Sequence, residues 1–290
     1  MITALQIGAV AYAIAIEGRE DLIRRHLTHC YGQYPAAEGW VDHWITLRAP
    51  TVWRRVIRPN LVSDVPAPVP LLPLPARLAP VALESAMNLA TAGENDRFVM
   101  FHAATIARGE DALVMPGASG AGKSTLAAAA LLAGWRLLSD EYAAFEPYGE
   151  RRLVAIPRAV SLKNESISYL AERFGVSDRL VHRYSGTPKG TIAFLPARPI
   201  APAARFRPRA VVFPHRRPGT EPRLRRLDPI EATTRLLETA MNFATQGEPA
   251  LAILRALVTA IPAYALRYGE AAAALALLDD LLSGRGKGGG

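Results

Sequence analysis

The sequence predicts an α/β fold: a phosphate-loop core, preceded by a small α+β domain and followed by a helical C-terminal segment. Three observations carry that expectation. Residues 117–125 read G-A-S-G-A-G-K-S-T and fit G-x-x-x-x-G-K-[ST], a pattern that belongs between a buried strand and a helix. The run Ala112-Leu113-Val114-Met115 enters it as a strand covered on both faces would, and the Leu/Ala stretch 126–133 leaves it as a helix that stops at Gly134. A second apolar strand, 135–139, then ends in two carboxylates, Asp140 and Glu141, at the strand end where ligands collect in open α/β sheets.

Composition bounds the rest. The chain has 290 residues, half of them hydrophobic, so it can bury one large core or two smaller ones and is not a disordered chain. Its net charge of +8, carried mostly by arginine, fits phosphorylated ligands, an acidic partner or nucleic acid and selects none of them. Many arginines lie in 205–226, at Arg205, Arg207, Arg209, Arg216, Arg217, Arg223, Arg225 and Arg226. No RNA- or DNA-binding motif accompanies them, so a solvated basic loop is expected there rather than a nucleic-acid surface. A single cysteine, Cys30, excludes an internal disulfide, argues against a cysteine-ligated metal and fits a reducing compartment. The apolar opening 2–16 lacks the basic flank of a signal peptide and is shorter than a membrane span, and a strongly charged stretch, 17–25, follows it. It reads as β-structure in a cytoplasmic protein with no membrane partner.

In order along the chain, residues 1–58 form the α+β domain, with apolar runs at 4–16 and 40–47 around a helix at 19–27. Trp40, Trp44 and Trp53 are expected in its core or an interface. Residues 59–80 hold Pro59, Pro66, Pro68, Pro70, Pro73, Pro75 and Pro80 and read as an extended connector. The phosphate-loop domain spans 81–283. A helix at 81–91 precedes a strand at 98–107, which forms a hairpin around Gly109 with 112–115.

In the loop, Gly117, Gly120 and Gly122 let the backbone bend so that N–H groups from Ala118, Ser119 and Ala121 onward converge on an anion. The start of the helix, through Thr125, aims its free N–H groups and positive dipole end at the same place. Lys123 would reach the β- and γ-phosphates and Ser124 would hold Mg²⁺. One of Asp140 and Glu141 would support the metal, and the other would accept the proton of an attacking hydroxyl. A transporter-type ATPase also ends a strand in Asp-Glu. It inserts a long helical region before that strand, whereas only seventeen positions separate Lys123 from Asp140, and L-S-G-G-Q is missing. The guanine-reading N-K-x-D is missing too, which argues against a Ras-class GTPase.

Residues 151–228 read as strand-rich, with apolar runs at 153–156, 191–195 and 210–213. Arg158, Lys163 and Lys189 stand out there as cations that either contact phosphate or acceptor or are surface charges. From Asp228 the pattern is helical, at 228–244, 249–260 and 269–282, and residues 284–290 form a glycine-rich, frayed tail.

With these residues in place, the chain resembles the HPr kinase/phosphorylase superfamily, and within it the HPr-kinase-related proteins called HprK-related kinase A. The resemblance covers most of the chain from about Leu71. It rests on His102 ahead of G-A-S-G-A-G-K-S, on the following strand from Gly134 to Glu141, and on P-R-A-V-S-L-K-N at 157–164, T-P-K-G-T at 187–191 and E-T-A-M-N at 238–242. Thr125 stands where HPr kinases have glutamate, and Glu141 where they have a second aspartate. Their R-N-L-A segment is not recognisable. The resemblance implies an atypical phosphate-loop kinase core related to phosphoenolpyruvate carboxykinase. It also implies ATP and Mg²⁺ as cofactors and transfer of the γ-phosphate to a hydroxyl of a peptide, protein or small metabolite. In this reading Asp140, or else Glu141, is the base. His102 orients an acid or meets phosphate, the alternative being a buried, hydrogen-bonded strand histidine. The rival reading is a nucleotide-binding accessory or sensor protein of a biosynthetic or peptide-modifying assembly, without phosphotransfer. A homo-oligomer is left open.

Overall fold

A computed structural model describes residues 2–66, 72–93, 96–180 and 182–284. It is mixed α/β, with several sheets. The chain divides into two compact units that alternate in sequence: Met1–Asn95 with Ile156–Ala203, and Asp96–Ala155 with Ala204–Gly290. That division cuts across the boundaries drawn from composition at 58 and 80.

The first segment of unit 1 runs β1 (Ile2–Ile7), β2 (Val10–Ile16), α1 (Glu20–Tyr31), β3 (His43–Arg48), β4 (Asn60–Ser63), β5 (Leu74–Pro75) and α2 (Ala79–Gly93). The strands form one sheet in that order. β1 and β2 make a hairpin turning at Gly8, and α1 is the crossover that lets β3 lie parallel to β2. Within the proline-rich stretch, Pro75 ends β5 and Pro80 lies in the first turn of α2, where a missing N–H costs nothing. Pro68 and Pro70 lie outside the described residues. Trp40, Trp44 and Trp53 are 89%, 61% and 75% exposed, so they are not core residues. Trp44 points outward from the central strand β3, Trp40 lies in the loop before it and Trp53 in the short 3-10 turn after it.

Unit 2 begins with β6 (Val99–Arg108), β7 (Asp111–Pro116), α3 (Lys123–Leu132), β8 (Arg136–Ser139), β9 (Tyr142–Phe145) and β10 (Leu153–Val154). The β6–β7 hairpin turns at Gly109, as the sequence indicated. The chain then returns to unit 1 for β11 (Val160–Lys163), α4 (Glu165–Phe174), β12 (Arg183–Thr187) and β13 (Gly190–Leu195), with the strands ordered β11-β13-β12. α4 was not anticipated in a stretch read as strand-rich. Its buried Ile167 and Leu170 and its left-handed stop at Gly175 are helix signals.

The last segment completes unit 2 with β14 (Arg205–Arg216), β15 (Arg223–Arg226), α5 (Pro229–Leu237), α6 (Phe243–Gln246), α7 (Glu248–Thr259), β16 (Ala263–Tyr268) and α8 (Ala271–Leu282). The principal sheet runs β10-β9-β6-β7-β14-β16-β15, with β8 also on β6 and β10 also paired to β14. β7, β14 and β16 are mutually parallel, so their C-terminal ends share one edge. The arginine-rich stretch is therefore two strands rather than a basic loop: in the first half of β14 Arg205, Arg207 and Arg209 point outward and pair with Glu146, Glu110 and Asp111, and the strand then runs fully buried from Ala210 to Pro214. The C-terminal region is helical except for β16. Residues 285–290 of the tail lie outside the described residues.

Candidate functional site

The glycine-rich loop hangs between β7 and α3. Lys123 opens the helix and folds back, its Nζ donating to the carbonyls of Gly117 at 2.5 Å and Ala118 at 3.0 Å, so that a buried ammonium sits inside the loop. Ser124 and Thr125 follow in the first helical turn, which no side chain caps. Gly122 takes φ 96°, and a Cβ there would lie 2.6 Å from Tyr268 Oη and 2.8 Å from Arg216 Cβ. Both neighbours brace the loop: Tyr268 Oη–H donates to the Gly122 carbonyl at 3.0 Å, and the Arg216 N–H donates to the Ala121 carbonyl at 3.1 Å. They come from the C-terminal ends of β14 and β16. Sequence reasoning missed both, because Arg216 was read as part of a basic loop and Tyr268 fell between the helices expected at 249–260 and 269–282.

β6 organises the other side. Ala103 pairs with Pro116, the last residue before the loop, and on its opposite edge the Ala103 N–H donates to the Glu141 carbonyl at 3.2 Å. The acids thus stand one strand beyond the loop's own strand, with β8 paired to β6 rather than to β7. Two strand spacings, about 10 Å, separate the two backbones there. β8 and β9 run end to end along β6, and the break between them is Asp140-Glu141, where Ser139 Oγ accepts the N–H of Glu141 at 3.2 Å and of Tyr142 at 3.0 Å. Asp140 is buried, whereas Glu141 is half-buried with Oε2 at 3.6 Å from His102 Nδ1. His102 is half-buried too, which suits a residue orienting that acid better than a core histidine.

The 238–242 stretch joins the same place. Beyond Ala103, β6 overhangs the end of β7, and 239–242 takes that free edge. The His102 N–H donates to the Thr239 carbonyl at 2.7 Å and the Met241 N–H to the Met100 carbonyl at 3.0 Å. Asn242 uses both halves of its amide: Oδ1 accepts the Met100 N–H at 2.9 Å and Nδ2 donates to the Phe98 carbonyl at 2.7 Å.

The three cations singled out between 151 and 228 belong to unit 1 and have different settings. Arg158 is not offered to a ligand: it is buried, donating to the Glu84 carbonyl and to Asn88 Oδ1, with Nη1 at 3.8 Å from the Glu84 carboxylate. Glu84 also accepts from Tyr31 Oη at 2.7 Å and pairs with His26 Nε2 at 2.8 Å. Burial pushes this carboxyl up, but His26, Arg158 and Tyr31 together outweigh it and hold the group below its ordinary value. Burial raises the Cys30 thiol and so disfavours its thiolate form. Lys163 and Lys189 sit on neighbouring backbone segments linked by Asn164.

Among the described residues no group of three or more His, Cys, Asp or Glu side chains forms a metal cage, and no helix is long and apolar enough to cross a membrane. A hydroxyl at Ser124 with carboxylates at Asp140 and Glu141 is an all-oxygen donor set, the kind that suits Mg²⁺ bound jointly with phosphate oxygens. In comparisons with known proteins, no family model and no curated protein matches the chain.

Proposed function

We propose that the chain is an ATP- and Mg²⁺-dependent kinase of the HPr-kinase-related type, acting on a hydroxyl of a peptide, protein or small metabolite. The observation that carries this reading is the pairing of both halves of a phosphoryl-transfer site with one residue of β6, the loop start on one edge of Ala103 and the acid pair on the other. A loop that only captured nucleotide would have little use for two carboxylates so close to it, one of them buried.

In this reading, the N–H groups of 117–124 and the Lys123 ammonium bind the β- and γ-phosphates and neutralise charge as the transfer proceeds. Ser124 and one acid hold Mg²⁺, which when bound screens the phosphate charge. Asp140 takes the proton from the acceptor hydroxyl while the new O–P bond forms and the bond to the ADP oxygen breaks. Glu141, beside His102, is the other acid. The buried, reduced Cys30 fits a cytoplasmic setting.

The test is γ-labelled ATP with cytosol as the source of acceptor. Label on an acceptor, with a loss of at least about 10²–10³-fold in Lys123→Ala, is the expected result. Full transfer by Lys123→Ala refutes the assignment, and nucleotide binding without transfer or hydrolysis favours the sensor reading.

A further inference from the structure

We propose that Lys163 and Lys189, joined by the Asn164 side chain, form a binding site for an oxyanion, a phosphate or carboxylate group, in the unit that does not carry the phosphate loop. The backbone at Asn164 takes φ 48°, ψ −119°, a conformation that glycine adopts freely and other residues seldom do. It is held there by the β12–β13 hairpin: the Asn164 N–H donates to the Thr191 carbonyl at 3.0 Å, Oδ1 accepts the Thr191 N–H at 3.0 Å, and Nδ2 donates to the Lys189 carbonyl at 3.2 Å. Gly190 has to be glycine, because a Cβ would collide with Asn164 Oδ1.

Each lysine is fixed by a hydroxyl as well. Ser166 Oγ accepts the Lys163 N–H at 3.0 Å and donates to its carbonyl at 2.6 Å, while Thr187 Oγ1 accepts the Lys189 N–H at 3.1 Å. The backbones are pinned, yet neither ammonium forms an ion pair among the described residues, with exposed Glu165 or any other acid. Arg77, also without an ion pair there, adds a third positive charge by donating to the Ser185 carbonyl on β12 at 2.6 Å.

Residue choice points the same way. The chain has four lysines against thirty arginines. One is Lys123 in the phosphate loop, one is Lys287 in the tail, and the other two stand on backbone segments that Asn164 links. Lysine is a compact point charge with three freely turning donors, suited to single oxyanion oxygens, where arginine's planar fork is not interchangeable with it.

Four lysines also make the test direct. Protein with ¹⁵N-lysine is titrated with inorganic phosphate in a Lys123→Ala background, where the loop cannot answer. Saturable shifts of Lys163 and Lys189 with one shared dissociation constant are expected, and Asn164→Gly, which suits the backbone but removes the two neutral hydrogen bonds that link the segments, should weaken binding about tenfold, roughly the net worth of one such bond. No saturable shift, or undiminished affinity in Asn164→Gly, overturns the proposal. Lys163→Ala and Lys189→Ala, which remove no side-chain hydrogen bond or ion pair among the described residues, should each abolish the shared response without moving the unfolding midpoint. ATP titrated into protein with Lys123 intact identifies the source: weakened ATP binding in Lys163→Ala assigns the oxyanion to the nucleotide, and unchanged ATP binding assigns it to a second ligand. Because phosphate is read without the loop, the site can fail while nucleotide binding stands, and the reverse.

Discussion

Gly122→Ala tests how tightly the phosphate loop is held. Gly122 sits at φ 96°, ψ 5°, and a left-handed conformation costs a residue with a Cβ about 1–2 kcal/mol. The added methyl would stand 2.6 Å from Tyr268 Oη and 2.8 Å from Arg216 Cβ, closer than carbon atoms pack. Tyr268 is fully buried and bonded to the Gly122 carbonyl, so it cannot swing aside without losing that bond. Overpacking of this kind costs about 1–3 kcal/mol and the bond about 0.5–1.5. If the loop keeps its shape the sum is roughly 3–6 kcal/mol, a large part of a stability of about 5–15 kcal/mol. If the loop moves instead, the N–H groups lose their common focus. The expected results are a lower urea midpoint and an ATP dissociation constant, by calorimetry, raised about 10²-fold or more, which corresponds to about 3 kcal/mol. Tyr268→Phe removes one of the two close contacts, so in a double-mutant cycle it should rescue Gly122→Ala by at least about 0.5 kcal/mol relative to additivity. An alanine variant with wild-type unfolding and wild-type ATP affinity, or strict additivity in the cycle, would refute the bracing described here.

Two further outcomes follow from buried hydrogen bonds. Glu84→Gln leaves Arg158 and His26 buried without their carboxylate and should cost about 3–5 kcal/mol in urea unfolding at neutral pH. Glu84 is held below its ordinary value of 4.5, so its contribution is full above that pH and fades as pH falls through the lower folded value; the gap between wild type and Glu84→Gln should narrow in acid, and a gap that widens there contradicts the assignment. Asn242→Ala strands the Met100 N–H and the Phe98 carbonyl and should cost about 2–3 kcal/mol, with faster hydrogen exchange at the Met100 and His102 amides. Unchanged exchange at both would show that 239–242 does not seal the edge of β6.

The elements legible in the sequence are those whose signals are local. The β6–β7 hairpin, the loop and α3 follow one another within about thirty residues, and each announces itself by turn glycines, an apolar run or a Leu/Ala stretch. β16 was hidden because Ala263, Ala265 and Leu266 lie among Ala/Leu helices and suit either period; the break at Pro262 and the alternating Tyr264, Leu266 and Tyr268 are the signal that could have found it. Tyr268 reaches the loop across 146 residues, and Arg158 finds Glu84 across 74, so no local pattern marks either. Arg158 looked like a ligand contact because an arginine's partners are invisible until the fold brings them to it. Lys163 and Lys189 could be picked out as cations, but their connection depends on the torsion angles of Asn164, which the sequence does not display.

The acids and the E-T-A-M-N stretch share a cause that lies in β6. A strand entering a phosphate loop must end where the loop begins, so its hairpin partner, running the other way, overhangs it at that same end by the residues before Ala103. An overhanging buried strand has unpaired N–H and carbonyl groups on both edges, and these must be met. β9 meets them on one edge, and because β8 and β9 break at Asp140-Glu141, the acids fall level with the loop. Residues 239–242 meet them on the other edge, with Asn242 supplying a donor and an acceptor where the strand frays. A motif more than a hundred residues downstream is thus tied by hydrogen bonding to β6, the hairpin partner of the strand that enters the loop. Its sequence can then vary wherever the main chain alone pairs, at Ala240 and Met241, but not at Asn242, whose side chain does the pairing.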